Sequence, residues 1–149
     1  MGVIHVDADA CPVKAEIEAV AQRHGVPVRM VTNGGVRPSA NPLVTMIYVP
    51  EGPDEADKRI AAEVQAGDVV ITADIPLAAR CVEAGAAVLR PDGSALTAAN
   101  VGETLAMRDL MTDLRSADPF RQGGGRPFSK ADRSRFRDAL DRALRARER

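Results

Sequence analysis

Apolar positions along this chain alternate between two rhythms. Short, largely apolar runs occur at Val3–Val6, Pro27–Val31, Leu43–Val49, Asp68–Thr72 and Ala86–Leu89. Each has the length and composition of a buried strand. Between them the apolar spacing changes to 3.6 residues. Pro12 opens one such stretch, with Val13, Ile17, Val20 and Ala21 in phase, and His24-Gly25 closes it. A second helix is predicted from Pro53 through Gln65, with Ile60, Ala61 and Val64 as its stripe, and a third over Ile75–Glu83. Thr32–Pro42, rich in Gly, Pro, Asn and Ser, reads as an irregular loop. Strand and helix thus alternate from Val3 to Leu89. The prediction is a three-layer α/β domain around a mostly parallel sheet with right-handed, Rossmann-like crossovers.

Beyond Thr97 the pattern turns helical. Asn100–Arg115 offers Val101, Leu105, Met107, Leu110, Met111 and Leu114 for packing. Asp118-Pro119 and Gln122–Gly125 form a linker, and Ser129 with Asp132 has the spacing of a capping box before a last helix ending near Arg147. Residues 1–118 are read as the α/β domain. Residues 119–149 are read as a Gly-rich linker and a basic C-terminal helix extending that domain. The helix has a narrow stripe, Phe136, Leu140 and Leu144, which docks either on the domain or on a second subunit as a homo-oligomer contact.

Charge changes the picture of that tail. Residues 1–114 carry 9 Lys and Arg against 16 Asp and Glu, a net of −7, while residues 115–149 carry 11 against 5, a net of +6. The bland reading of the tail is a solvated helix; the functional one is a basic arm that holds nucleic acid. On the second reading, truncation after Asp118 weakens strand binding and leaves the acidic site intact. Length bounds the rest: 149 residues make one domain with a real core. No apolar run reaches membrane-spanning length, and Met1 leads almost directly into the first strand, leaving no room for a signal peptide. A cytoplasmic location without membrane association is the expectation.

The chemistry sits where strands end. Asp7 and Asp9 end the first strand, Asp54, Glu55 and Asp57 open the helix after the third, and Asp74 follows the fourth. In an open parallel sheet these ends converge on one crevice, where bare carboxylates would repel and resist ionisation. A hard divalent cation, Mg²⁺ or Mn²⁺, resolves that conflict with oxygen ligands and retained water. Metal-activated water attacking a phosphodiester is the chemistry this set suits. Helix dipoles alone account for Asp54 and Glu55. An N-cap role would account for Asp74, and the same role at the first helix for Asp9. Asp7 has the strongest claim. Without a metal, Lys58, Arg59 or a tail arginine would have to neutralise the cluster. Asn33 and Arg37, in the loop bordering the crevice, are candidate phosphate contacts.

Other chemistries fit less well. Cys11-Pro12 lacks an Arg at position 17 for a phosphatase loop and a Cys at position 14 for a redox pair, so Cys11 is read as a packed residue. His5 and His24 lack metal-ligand spacing. Asp7-Ala8-Asp9 has the form of a phosphoaspartyl nucleophile motif, but Gly67-Asp68 precedes a strand where that mechanism's acidic pair should follow one.

The segments Val6–Lys14, Gly52–Ile60, Gly67–Ala78 and Thr104–Met111 closely resemble the YaiI/YqxD family of small bacterial proteins, over nearly the whole chain. That family resembles a branch of the PIN-like superfamily, Rossmann-like nucleases that hold Mg²⁺ or Mn²⁺ with three or four acids at strand ends. The resemblance implies that Asp7, Asp57 and Asp74 are metal ligands and catalytic, supported by Asp54 and Asp9. Thr72 would orient water or a ligand. One departure is Asp92, which stands later than the further acid such nucleases place near the next strand's end. The expected function is a metal-dependent nuclease acting on RNA. The alternative is a non-catalytic RNA-binding or regulatory module on the same fold.

Overall fold

The computed structural model describes residues 2–52, 54–117 and 128–147. Six strands, β1 (Ile4–Asp7), β2 (Val28–Thr32), β3 (Val44–Tyr48), β4 (Val69–Ile71), β5 (Ala87–Leu89) and β6 (Ala95–Leu96), form one sheet in the order β3-β2-β1-β4-β5-β6. All neighbours pair in parallel except β5 and β6. β1 is central: Ile4 lies opposite Val28 on one side and Val69 on the other. The expected α/β architecture is present. The sequence reading omits only β6, which is two residues long and is defined by antiparallel pairing with β5 rather than by any apolar run.

The helices are α1 (Lys14–His24), α2 (Glu55–Glu63), α3 (Ile75–Glu83), α4 (Val101–Ala117) and α5 (Lys130–Arg147). Two begin later than the apolar rhythm suggests. A 3-10 turn, Ala8–Ala10, intervenes after β1, so Pro12 lies in the turn before α1 and Val13 is the N-cap. α2 cannot start before Glu55 because Asp54 has a left-handed backbone, φ 67°. It stops at Glu63 because Val64 turns extended, at φ −65° and ψ 139°. Gly25, also left-handed, ends α1 as expected and returns its N–H to the Ala21 and Gln22 carbonyls.

Side chains alternate across the strands, so the sheet has two apolar faces. On one, Ile4, Val6, Val28, Met30, Val69 and Ile71 pack with Ile17, Val20 and Ala21 of α1 and with Phe136, Leu140 and Leu144 of α5. On the other, Val31, Val70 and Val88 meet Ile60 of α2, Leu77, Ala78 and Cys81 of α3, and Leu105 of α4. Both cysteines are buried and free, and burial pushes their thiols up, Cys81 to about 11. Among the described residues no helix is long and apolar enough to cross a membrane.

The tail stripe is therefore docked on the chain's own domain. Phe136, Leu140 and Leu144 are each 0% exposed, and burial of this kind contributes about 1.5–3 kcal/mol per side chain. The capping box forms: Asp132 N–H donates to Ser129 Oγ at 3.1 Å, and Ser129 N–H donates to Asp132 Oδ2 at 2.9 Å. Polar contacts fix the helix to α1. His24 Nε2 meets Asp141 Oδ1 at 2.7 Å, and Arg133 donates to the Pro12 carbonyl at 2.6 Å. The linker residues 118–127 lie outside the described residues.

Docking of α5 reverses the expected result of truncation. A chain cut after Asp118 is expected to lose the cooperative unfolding transition in circular dichroism, because one face of the sheet loses its cover. Leu140→Ala should cost about 2–5 kcal/mol in chemical denaturation. Gly93 gives a second check. It has φ +90°, and a Cβ there would lie 2.9 Å from the Arg135 carbonyl carbon and oxygen. Gly93→Ala should therefore destabilise by about 1–3 kcal/mol while changing no side-chain chemistry.

Candidate metal centre

Strand order reverses at β1: the chain moves outward through β2 and β3, then returns by α2 to β4 on β1's other side. The crevice beyond the carboxyl ends of β1 and β4 is thus the switch point where such sheets bind ligands. Asp7 is the last residue of β1. Thr72, just beyond β4, donates its hydroxyl to Asp7 Oδ2 at 3.2 Å and accepts the Asp74 N–H at 3.0 Å. One hydroxyl therefore links the two strand ends. Asp74 is also the N-cap of α3, accepting from the Leu77 N–H at 2.9 Å through Oδ1.

The tightest acidic set is Asp54, Asp57 and Asp74, which bring one carboxylate oxygen each within 4.8 Å of one another. Of the acids expected to converge, Asp57 and Asp74 come together. Asp54, for which the helix dipole sufficed as an explanation, joins them, and Asp7 stands outside this set. Asp54 is the one described non-glycine residue with positive φ, a conformation aspartate tolerates better than branched residues. It caps α2 by position but makes no side-chain cap bond, so its carboxylate faces the other acids instead. Neither Pro53 nor any strand rhythm discloses that conformation in the sequence.

The charges respond to their crowding. Burial, a hydrogen bond shared with Asp74, and the negative charges of Asp74, Asp7 and Asp54 push the Asp57 carboxyl up to about 7. Burial raises Asp7 as well; the Thr72 hydroxyl partly offsets this, and Asp74 and Asp9 add to it.

Asp9 has a different task from the one expected. Its Oδ1 accepts from the Thr32 hydroxyl at 2.5 Å and its Oδ2 from the Asn33 N–H at 3.0 Å. It ties the end of β2 to the 3-10 turn and does not cap α1, whose N-cap is Val13. Asn33 is exposed, and its Oδ1 accepts from the Gly35 N–H at 3.3 Å, which shapes the loop. Arg37 is exposed in the same loop. Asp92 closes the turn between β5 and β6 by accepting from Ser94 N–H at 2.9 Å. His5 and His24 bond to Asp68 and Asp141. The Asp68 partner lies before β4, at the opposite edge of the sheet from the acids. A cleft of about 330 Å³ contains Asp54, Asp57 and Asp74, together with Lys58, Arg80 and Arg108. Neither arginine was marked by sequence spacing, because only the packing of α4 along α3 brings them to one place.

Asp57 supplies a pH test. Its carboxyl binds a proton more tightly in the folded than in the unfolded chain, so its contribution is complete below about pH 4 and is lost as pH rises through about 7. Solvent screening of this partly exposed group limits the loss to about 1 kcal/mol. Metal-free protein should therefore unfold at lower denaturant at about pH 8 than at about pH 5. Asp57→Asn should flatten that difference; an unchanged slope would refute the assignment.

Comparison with known proteins gives matches over nearly the whole chain. The family model described as an uncharacterised YaiI/YqxD family matches residues 5–146. A UPF0178 protein of Cereibacter sphaeroides strain ATCC 17025 is 66% identical over 145 residues, covering 97% of this chain and 90% of the relative. A UPF0178 protein of Roseobacter denitrificans is 63% identical over 145 residues, covering 97% and 96%. One from Ruegeria pomeroyi is 63% identical over 150 residues, covering 100% and 97%. No solved structure matches the chain. With nearly the whole chain, its acids included, inside the matched span, the chain belongs to the YaiI/YqxD family.

Proposed function

We propose that this protein is a PIN-like, metal-dependent nuclease that hydrolyses phosphodiester bonds of RNA. The observation that carries the reading is the approach of Asp54, Asp57 and Asp74 to within 4.8 Å, with several of the cations expected to neutralise them paired to other acids. Lys58 pairs with Glu55 at 3.6 Å and Arg59 with Glu63. In the tail, Arg133 meets Glu16, Arg135 meets Asp132 and Arg145 meets Asp141. An oxygen-only donor set of this kind fits Mg²⁺ or Mn²⁺.

Asp54, Asp57 and Asp74 would hold the ion, which when bound lowers the pKa of a coordinated water. Asp7 lies beside them with its carboxyl oriented by Thr72. Its raised proton affinity suits it to accept the proton of the attacking water. Thr72 keeps Asp7 and Asp74 in register. Asp9 acts at one remove, by fixing the loop that carries Asn33 and Arg37. The basic tail is a weaker candidate for holding a strand than its charge suggests, since several of its arginines pair with the protein's own acids.

The deciding experiment is cleavage of mixed-sequence RNA and single-stranded DNA with Mn²⁺. RNA should be cut, and Asp57→Asn or Asp74→Asn should lower the rate at least about 100-fold. RNA binding without cleavage by pure wild-type protein would assign the non-catalytic RNA-binding module instead. Mn²⁺ near 100 times its Kd should also raise Tm by about 5–10 °C. EDTA should reverse the shift, and Asp57→Asn should abolish it.

A further inference from the structure

β3 forms one end of the sheet, and it is built unlike the other end. β6 has two residues, whereas β3 has five, Val44–Tyr48, and pairs with β2 alone among the described residues. Natural edge strands are usually guarded by charge, proline, a bulge or brevity. β3 has none of these. Residues 38–50 hold no Lys, Arg, Asp or Glu, in a chain that is 28% charged. Pro42 and Pro50 lie outside the strand, one beyond each end. Its side chains are apolar beyond what the protein itself covers: Val44, Met46 and Ile47 are half-buried, and Tyr48 is 57% exposed.

Backbone parity fixes what the open side offers. Val28 N–H donates to the Leu43 carbonyl at 2.8 Å, and Val49 N–H donates to the Thr32 carbonyl at 2.9 Å. Peptide groups alternate sides along a strand, so the odd residues of this stretch face β2 and the even ones, Val44, Met46 and Tyr48, face outward. The Val44 N–H turns back to the Asn41 carbonyl at 3.0 Å. That leaves the N–H and C=O of Met46 and Tyr48, and the C=O of Val44, for a partner. We propose that this partner is β3 of a second copy, paired antiparallel across a two-fold axis at Met46. In that register Met46 exchanges both its backbone bonds with the second copy's Met46. Tyr48 N–H meets the Val44 carbonyl of the other chain, and the two-fold repeats the bond in reverse. Pro42 falls opposite Pro50, so the ladder ends where the N–H groups end. The side chains agree with the backbone. Val44 and Met46 lie on the face packed by α1 and α5, and alternation puts Tyr48 there too. Each exposed ring therefore covers the half-buried Val44 across the axis, an aromatic and β-branched pair. Two bodies with a net of −7 each over residues 1–114 repel, but this strip sets no charge opposite another. A foreign strand would have to match the same parity and the same prolines by chance, whereas the chain's own strand matches them by symmetry.

The test is sedimentation velocity of the full-length protein from about 1 µM to about 200 µM, with circular dichroism checking the fold of each variant. Wild type should convert within this range to a species of twice the chain mass. Tyr48→Pro removes a donated N–H at an edge position where proline leaves the pairing with β2 intact, and should weaken dimerisation at least about tenfold. Thr45→Lys, at an exposed position, brings like charges near the axis and should do the same without touching the core. It decides the matter if Tyr48→Pro does not fold. Met46→Cys should form an intermolecular disulfide on mild oxidation, since directly opposed residues lie within bridging distance. Ala95→Cys, on β6 at the other end of the sheet, should not. Protein that stays monomeric throughout overturns the proposal. So does a dimer that Thr45→Lys leaves unchanged, or one that Ala95→Cys links and Met46→Cys does not.

Discussion

Repulsion among carboxylates held at short range governs the carboxyl edge of this sheet. The first turn of α2 holds Asp54 and Asp57 together, but nothing local adds Asp74; the seating of α2 and α3 on one face of the sheet does. The backbone offsets part of the cost. The Leu77 N–H at the start of α3 faces Asp74, and helix N-termini favour negative charge. The remainder stays as raised proton affinity on Asp57 and Asp7. Stability is thus traded for a concentrated negative potential.

How much of this was legible in the sequence depends on whether the cause was local. The strands of the parallel sheet are apolar because both faces are covered, so runs such as Val69–Ile71 announce themselves. β6 does not, since two residues carry no periodicity and only its partner defines it. Asp57 and Asp74 could be found from their places after strands. Asp54 could not be separated from a helix-dipole acid, because its membership depends on a left-handed backbone set by the surrounding loop. Asp9 fails to cap α1 for a related reason. A 3-10 turn takes it away from α1 and toward Thr32, and that turn has no sequence period.

The tail shows the limit of composition most clearly. A net charge of +6 over residues 115–149 suggests an arm free to hold an anion. The structure sets Phe136, Leu140 and Leu144 fully inside the core and pairs several arginines with acids of α1 and α5. One of these pairs, Arg133 with Glu16, joins the helix to α1, and the other two lie within α5. The arginines that accompany the acids come instead from the part of the chain whose overall charge is negative.

Docking of α5 against α1 also sets the order in which the protein can be completed. The helix that closes one apolar face follows in the chain the strands and α1 that it covers, so it is made after them. Until it arrives, Ile4, Val6, Val28 and Met30 have a sheet behind them and only α1 before them. The contacts that finish the fold span nearly the full chain, and closing such long loops is slow relative to forming local helices. During synthesis the exposed face is a surface for misassociation. That face of the sheet therefore gains its full cover only once α5 has been made.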